Sequence, residues 1–265
     1  MVYKQGIEIV IIATDEPQFE KCRAVAKNAG FEKWSIYQNI VPASEAHNKA
    51  VENITHEFAL FVGGDMILFP GSYMLCKQYV DSDEKVISWN FGLRDDFLKK
   101  DICCCRLYNS KVAVRFARNN TLRCDIESAR DAKNKGYREV CLFRQGIIIG
   151  THFYQPDDKQ IFRRFFRRGL KGPSSGYKRL EEELYTLYIK TKNKQYPFAV
   201  EAYRYGLSMQ GKLGKAAKQS HDYLLDNSLY NEFMKERSGS DESDNNNLHG
   251  NNSEENEVDN RAEQF

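Results

Sequence analysis

Three short apolar runs occupy the first quarter of the chain, each separated from the next by a segment of helical length. Ile7 to Ala13 (I-E-I-V-I-I-A) is apolar almost throughout, the pattern of a strand covered on both faces. Thr14-Asp15-Glu16-Pro17 then reads as a turn that caps a helix over about Gln18 to Asn28, which Gly30 stops. Trp34 to Gln38 is a second strand, Ser44 to Ile54 a second helix, and Phe58 to Val62 a third strand, followed by Gly63-Gly64-Asp65. Strands alternating with helices predict a parallel sheet with right-handed crossovers. Further strands are expected near Val86 to Phe91, Ile102 to Tyr108 and Lys111 to Phe116, then a helix over about Asp125 to Lys135 stopped by Gly136. Two short strands follow, Glu139 to Phe143 and Gly146 to Gly150, and from Asp157 to about Arg237 the pattern is helical. No internal repeat is visible.

The first hundred residues therefore read as Rossmann-like and the class as α/β, with a mostly parallel central sheet flanked by helices. The chain has 265 residues, 41% of them apolar and 12% aromatic, enough to bury a core. Its formal charge of +2 hides an uneven distribution. Residues 238–265 hold eight acids against the single base Arg261, together with the run Asn245-Asn246-Asn247 and almost no large apolar side chain. Such a segment cannot offset its ordering entropy and is expected to be a disordered acidic tail. Without it the body holds 38 basic against 29 acidic residues, about +9. Three parts result: a catalytic-type α/β unit over 1–156, a helical extension over 157–237 and the tail over 238–265.

Seven cysteines, among them Cys103-Cys104-Cys105, form no Cys-x-x-Cys pair. Neighbouring cysteines on a strand point to opposite faces, so reduced thiols used as strand filler are expected, in a cytoplasmic compartment. No leader-like start and no apolar run of membrane-spanning length is seen, so a protein that is soluble, or peripheral to a membrane at most, is expected.

In open parallel sheets ligands gather at the carboxyl ends of the strands. Asp15 follows the first strand, Asn39 the second and Asp65 the third. Two glycines before an acid let phosphates approach the backbone and leave a carboxylate for a divalent metal. The same Gly63-Gly64-Asp65 is equally readable as an ordinary turn.

The stretch Ala43 to Tyr73, A-S-E-A-H-N-K-A-V-E-N-I-T-H-E-F-A-L-F-V-G-G-D-M-I-L-F-P-G-S-Y, resembles the central segment of family-2-type glycosyltransferases with the GT-A fold. The match takes in Asn48, the strand Phe58 to Val62, Asp65, Ile67-Leu68 and Pro70. Downstream, C-D-I-E-S-A-R-D-A-K-N-K-G-Y, Cys124 to Tyr137, resembles the family's Glu-Asp segment, and I-I-G-T-H-F-Y, Ile148 to Tyr154, resembles the strand and histidine that close its catalytic domain. The motifs occur in order over about 150 residues. The resemblance implies a GT-A, Rossmann-like domain that moves a sugar from a nucleotide-diphosphate donor, a UDP-sugar first, to a hydroxyl of a glycan or lipid-linked acceptor, with inversion. A nucleotidyltransferase and a non-catalytic nucleotide-sugar or nucleic-acid binding protein on the same fold are the alternatives. No nucleic-acid partner is expected on the first reading.

Roles follow from the resemblance residue by residue. Asp65 stands at the second position of the family's Asp-x-Asp and would ligate Mn²⁺ or Mg²⁺, while Gly63 replaces the first Asp. His152 would be a second ligand or a diphosphate contact, or else a hydrogen-bonded structural histidine. Asp125 would be the general base, with Glu127 the second candidate, and Asp125 also suits a helix N-cap. Thr14, Asp15, Asn39, Asn48, Gly63 and Gly64 would line the donor pocket.

From Lys159 to Arg179 there are eight basic residues and no acid. Ile161, Phe162, Phe165 and Phe166 share one arc of a helix, and Arg163, Arg164, Arg167 and Arg168 the opposite one. The charged arc is either a solvated face, or a contact for the donor diphosphate through Arg163 and Arg164, or a rest on an anionic membrane surface. Gly169 to Gly176 reads as a lid or linker, and the tyrosines Tyr185, Tyr188, Tyr203 and Tyr205 as packing or a homodimer face.

Overall fold

A computed structural model describes residues 2–80, 83–119, 124–172, 179–210, 212–213 and 223–248. In chain order its elements are β1 (Lys4–Ala13), α1 (Phe19–Asn28), β2 (Lys33–Gln38), α2 (Ala43–Asn53), β3 (His56–Gly63), β4 (Met66–Leu68), α3 (Ser72–Tyr79), β5 (Val86–Asp95) and β6 (Lys100–Asn109). There follow α4 (Ser110–Ala113), α5 (Cys124–Asn134), β7 (Arg138–Cys141), β8 (Ile148–His152), α6 (Asp158–Leu170), α7 (Leu180–Thr191), α8 (Gln195–Ser208) and α9 (Tyr223–Leu248). The strands form one sheet in the order β2-β1-β3-β6-β5-β8-β4, with β7 also on β5. β1 pairs β2 and β3 in parallel, and β5 pairs β7 and β8 in parallel. β6 runs antiparallel between β3 and β5, and β4 antiparallel to β8. Six of the eight strands thus share one direction, and the α/β class with a mostly parallel sheet is as the alternation predicts.

β1 is interior because Ile7, Ile9, Val10 and Ile11 are all buried, which only a strand covered on both faces achieves. One face carries the cluster of Ile9, Leu60, Trp89, Phe91 and Leu107, and the other that of Val10, Phe61, Tyr108 and Phe116.

Three boundaries depart from the sequence reading. Lys111 to Phe116 is not a strand: residues Ser110–Ala113 form the short helix α4. β6 already has a neighbour on each side, so the chain leaves the sheet, and Val112, Ala113 and Phe116, at helical spacing, bury into the second cluster. β7 stops at Cys141, and Leu142–Gln145 form a 3₁₀ turn that ends at Gly146 with φ 77°. β5 runs four residues past Phe91, to Asp95. A Cβ on Gly92 would stand 2.3 Å from Ile148 Cδ1 and 2.6 Å from Phe143 Cδ2, so a side chain there would push both neighbours aside.

The helical extension is welded to the sheet. Phe97, Leu98 and Phe153 share one buried cluster with Phe162, Phe165 and Phe166 of α6, Ala199 and Ala202 of α8, and Leu229 and Phe233 of α9. α6 starts at a capping box in which Gln160 N donates to Asp157 (2.7 Å) and Asp157 N donates to Gln160 Oε1 (3.3 Å). A Cβ on Gly169 would lie 2.2 Å from Tyr203 O, so α6 and α8 meet backbone to backbone. α9 continues to Leu248, so the first part of the segment expected to be disordered is helical, and residues 249–265 lie outside the described residues. Among the described residues no helix is long and apolar enough to cross a membrane.

Arg167 of α6 and Asp226 of α9 pair at 2.5 Å with side chains only 2% and 3% exposed. Removing one partner of such a pair leaves an uncompensated buried charge. Asp226→Ala is expected to cost about 3–5 kcal/mol in urea unfolding. Arg167→Met/Asp226→Leu should recover much of it, and a double variant as unstable as the single one would contradict this.

Candidate active site

A cavity of about 540 Å³ opens where the carboxyl ends of β1, β3 and β8 meet α6, a volume within the range of small-molecule sites. Strand register builds its chemical centre. Met66 of β4 pairs with His152 of β8, and Asp95 of β5 pairs with the same His152 from the other side. Asp65, one residue before β4, and Asp95 are thereby brought to opposite sides of one imidazole. His152 Nδ1 lies 3.1 Å from Asp95 Oδ2, and His152 Nε2 lies 3.5 Å from Asp65 Oδ2.

Asp95 is fully buried, and its Oδ1 accepts from Leu98 N at 2.7 Å. Burial pushes its carboxyl pKa up, but the bonds from His152 and Arg164 outweigh that and hold it well below the usual carboxylate range. An ionised carboxylate only accepts, so Nδ1 of His152 carries the proton, and in the neutral ring Nε2 presents a lone pair. That lone pair then faces the Asp65 carboxylate. A proton or a metal cation placed between these two groups could be shared by both.

α6 forms the facing wall with Arg163, Arg164, Arg167 and Arg168, and Lys171 just past its end joins them. Its charged arc is thus not a solvated face: the side chains of Arg164 and Arg163 are 10% and 13% exposed. Arg164 binds Asp95 and lies 4.3 Å over the Phe153 ring, while its Nη1 is buried with no hydrogen-bond partner. Arg164 lines the cavity, and a guanidinium nitrogen without a partner is a ready donor for an anion.

The other expected donor residues divide. Thr14 and Gly63 line the cavity. Asp15 does not: both its oxygens bind Arg163 (2.5 and 2.8 Å), and Lys159 adds a bond of 3.0 Å. The Arg163 bond, with help from Lys159, holds its carboxyl well below the usual range. Gly64 lies behind the lining, where a Cβ would come 2.8 Å from both Ala13 Cβ and Glu16 Oε2. Asn39 is exposed with φ 58°, its N–H bonded to Ala13 O. Asn48 is a structural clamp, accepting from Arg118 N (2.8 Å) and donating to Arg118 O (3.0 Å). Asp125 stands in the first turn of α5, and its side chain lies outside the described residues. Glu127 is half-buried on α5 and is not among the residues that line this cavity.

Three participants were not singled out from sequence. Asp95 is one. Glu16 is another: it lines the cavity and accepts from Thr14 N (2.6 Å) and Thr14 Oγ1 (3.0 Å), and burial, seconded by Asp65, raises its pKa. Cys104 also lines the cavity, and burial together with Asp65 and Asp95 pushes its thiol pKa up, so it stays neutral. No cluster of three or more His, Cys, Asp or Glu side chains suited to a metal occurs among the described residues.

No known protein family's profile matches the sequence, and no curated protein sequence matches it. Solved structures are similar in chain course. A mannosyltransferase, PcManGT from Pyrobaculum calidifontis, in complex with GDP-Man and Mn²⁺, is 10% identical over 78% of this chain and 75% of that one, TM-score 0.47. A glycosyltransferase involved in glycosylation of the major capsid of PBCV-1 is 11% identical over 56% and 94%, TM-score 0.37. A mutant Drosophila galactosyltransferase 7 in complex with manganese, UDP-Gal and xylobiose is 11% identical over 56% and 68%, TM-score 0.35. At scores below 0.5 these likenesses carry no weight for function, which rests on this chain's own residues.

A carboxylate whose pKa is depressed on folding stabilises above its unfolded pKa and loses that contribution as pH falls through the folded value. For Asp95 the loss therefore sets in below about pH 4. In Asp95→Asn the slope of unfolding free energy against pH should flatten in that acid window. An unchanged slope would mean that Asp95 is not held ionised by His152 and Arg164.

Proposed function

We propose that this chain is a nucleotide-sugar-dependent glycosyltransferase of the GT-A type. The observation that carries the reading is His152 between two carboxylates, Asp95 fixing its tautomer and Asp65 facing its free nitrogen, under a wall of arginines. A divalent ion fits that arrangement. One carboxylate oxygen and one imidazole nitrogen converge, and the ring is held from behind by a second carboxylate, as metal-bound histidines usually are. Asp65 and His152 would hold the ion beside the place proposed for the donor diphosphate. When bound it supplies Lewis-acid stabilisation of the diphosphate leaving group.

The chain's residues account for the rest. Arg164 donates to the diphosphate through its unsatisfied nitrogen, and Arg163 beside it, its fork held by Asp15, adds positive charge to the same wall. Glycines 63 and 64 keep the end of β3 close to β1. Gly63 has its own reason to lack a side chain, since a Cβ there would stand 2.8 Å from Asp65 Oδ1. Asp125 is the proposed base. α5, in whose first turn Asp125 stands, leads into β7, the parallel neighbour of β5. Asp125 takes the acceptor hydroxyl's proton as that oxygen bonds to the anomeric carbon. The bond from that carbon to the diphosphate breaks on the opposite side, with inversion, and nucleoside diphosphate leaves. UDP-sugars are the first donors to try, with glycan or lipid-linked hydroxyls as acceptors.

The test is a panel of UDP- and GDP-sugars with Mn²⁺ or Mg²⁺, followed by thermal stabilisation and nucleotide release. One donor should stabilise the protein in a metal-dependent way, and Asp65→Ala should remove the metal-dependent part. Asp125→Asn should lower turnover by roughly 10²–10⁴-fold while donor binding survives. No stabilisation and no release with any donor would end the transferase reading, and full turnover in Asp125→Asn would move the base elsewhere.

A further inference from the structure

A second concavity, of about 440 Å³, lies along α5. Ile126, Arg130 and Lys133 line it from the helix, and Arg106, Arg138 and Glu139 from β6 and β7. The three helix positions fall at i, i+4 and i+7, one face of α5, while Ser128 and Ala132 anchor the opposite face, Ser128 Oγ donating to Phe116 O at 3.3 Å. The groove's cations stand on a fixed scaffold.

Four cations surround one carboxylate, and that carboxylate is engaged. Glu139 Oε1 accepts from Ser88 Oγ and Asn90 Nδ2, each at 3.2 Å, and lies 3.9 Å from Arg106 Nε. Arg138 pairs with Asp83 at 2.8 Å. Arg130 and Lys133 are exposed and form no ion pair among the described residues. The groove therefore presents two uncommitted cations on one turn of helix, with the half-exposed Ile126 at their side.

This groove adjoins the first cavity. Cys104 lines the cavity and Arg106 the groove, and two residues of strand span only about 7 Å. Ile126, which lines the groove from the first turn of α5, directly follows Asp125 in the chain.

The geometry points to an acceptor subsite for an anionic sugar, a glycan unit carrying a phosphate or carboxylate that Arg130 and Lys133 hold with its hydroxyl turned toward the first cavity. The inference rests on the transferase reading for its meaning, but its test does not. Calorimetric titration of the full chain uses mannose 6-phosphate, glucuronic acid and mannose as probes. The anionic sugars should bind saturably and neutral mannose at least tenfold more weakly, the phosphate and carboxylate arms showing which anion is preferred. Arg130→Ala/Lys133→Ala should weaken the anionic sugars at least tenfold and leave donor stabilisation and donor hydrolysis in water unchanged. Arg168→Ala, on the wall of the first cavity, should leave anionic-sugar binding unchanged. Binding that survives in the double variant, is lost in Arg168→Ala, or is equal for neutral mannose would overturn the assignment. Groove binding without any donor response would instead remove the transferase reading and leave the anion site standing.

Discussion

The site depends on β8 lying between β4 and β5, because that pairing brings carboxylates to both ring nitrogens of His152. The pairing in turn needs Gly150, where a Cβ would come 2.6 Å from Ile67 O, and is eased by Gly92, where a side chain would displace Ile148 and Phe143. Two glycines on the sheet thus determine how close two acids can come to one imidazole. Arg164 reaches the same Asp95 from α6, so the buried carboxylate joins the sheet's chemistry to the helical wall. A buried charge of this kind is tolerated only with partners on every side, and Asp95 has His152, Arg164 and the Leu98 amide.

The helical extension works in the same way. Its aromatic arc packs on Phe97 and Phe153 at the end of the sheet, and this packing turns the arginine arc inward over the carboxyl ends of the strands. Asp15, Asp95 and Asp226 each neutralise one arginine of that arc. The body's excess positive charge is therefore concentrated beside a cavity and partly compensated there, an arrangement suited to an anionic ligand.

The strands were legible because apolar runs bounded by turns have few other uses, and Asp65 stood out because it follows one directly. The arginines of α6 showed as a basic stretch without acids, but whether they faced solvent or a cavity depended on packing that periodicity does not reveal. Asp95 is missed because the sequence reading ends the strand at Phe91, before Gly92, four residues short of its end, although Trp89, Phe91 and Leu93 keep the alternation beyond it. Glu16 read as part of a capping turn, and Asn48 as a donor contact rather than a clamp on Arg118, because both assignments depend on a partner distant in the chain or on local turn geometry. Val112, Ala113 and Phe116 misled by being apolar, since a β-rich reading and a short helix bury them equally well.

The central claim is that a nucleoside diphosphate occupies the cavity between the strand ends and α6. Hydrogen–deuterium exchange with and without UDP or GDP in the presence of Mn²⁺ reads this directly along the chain. The account predicts slowed exchange in the 63–66 turn and in the segment from His152 into α6, with α5 unchanged. Protection confined to α5 and β7, or none with either nucleotide, would contradict it.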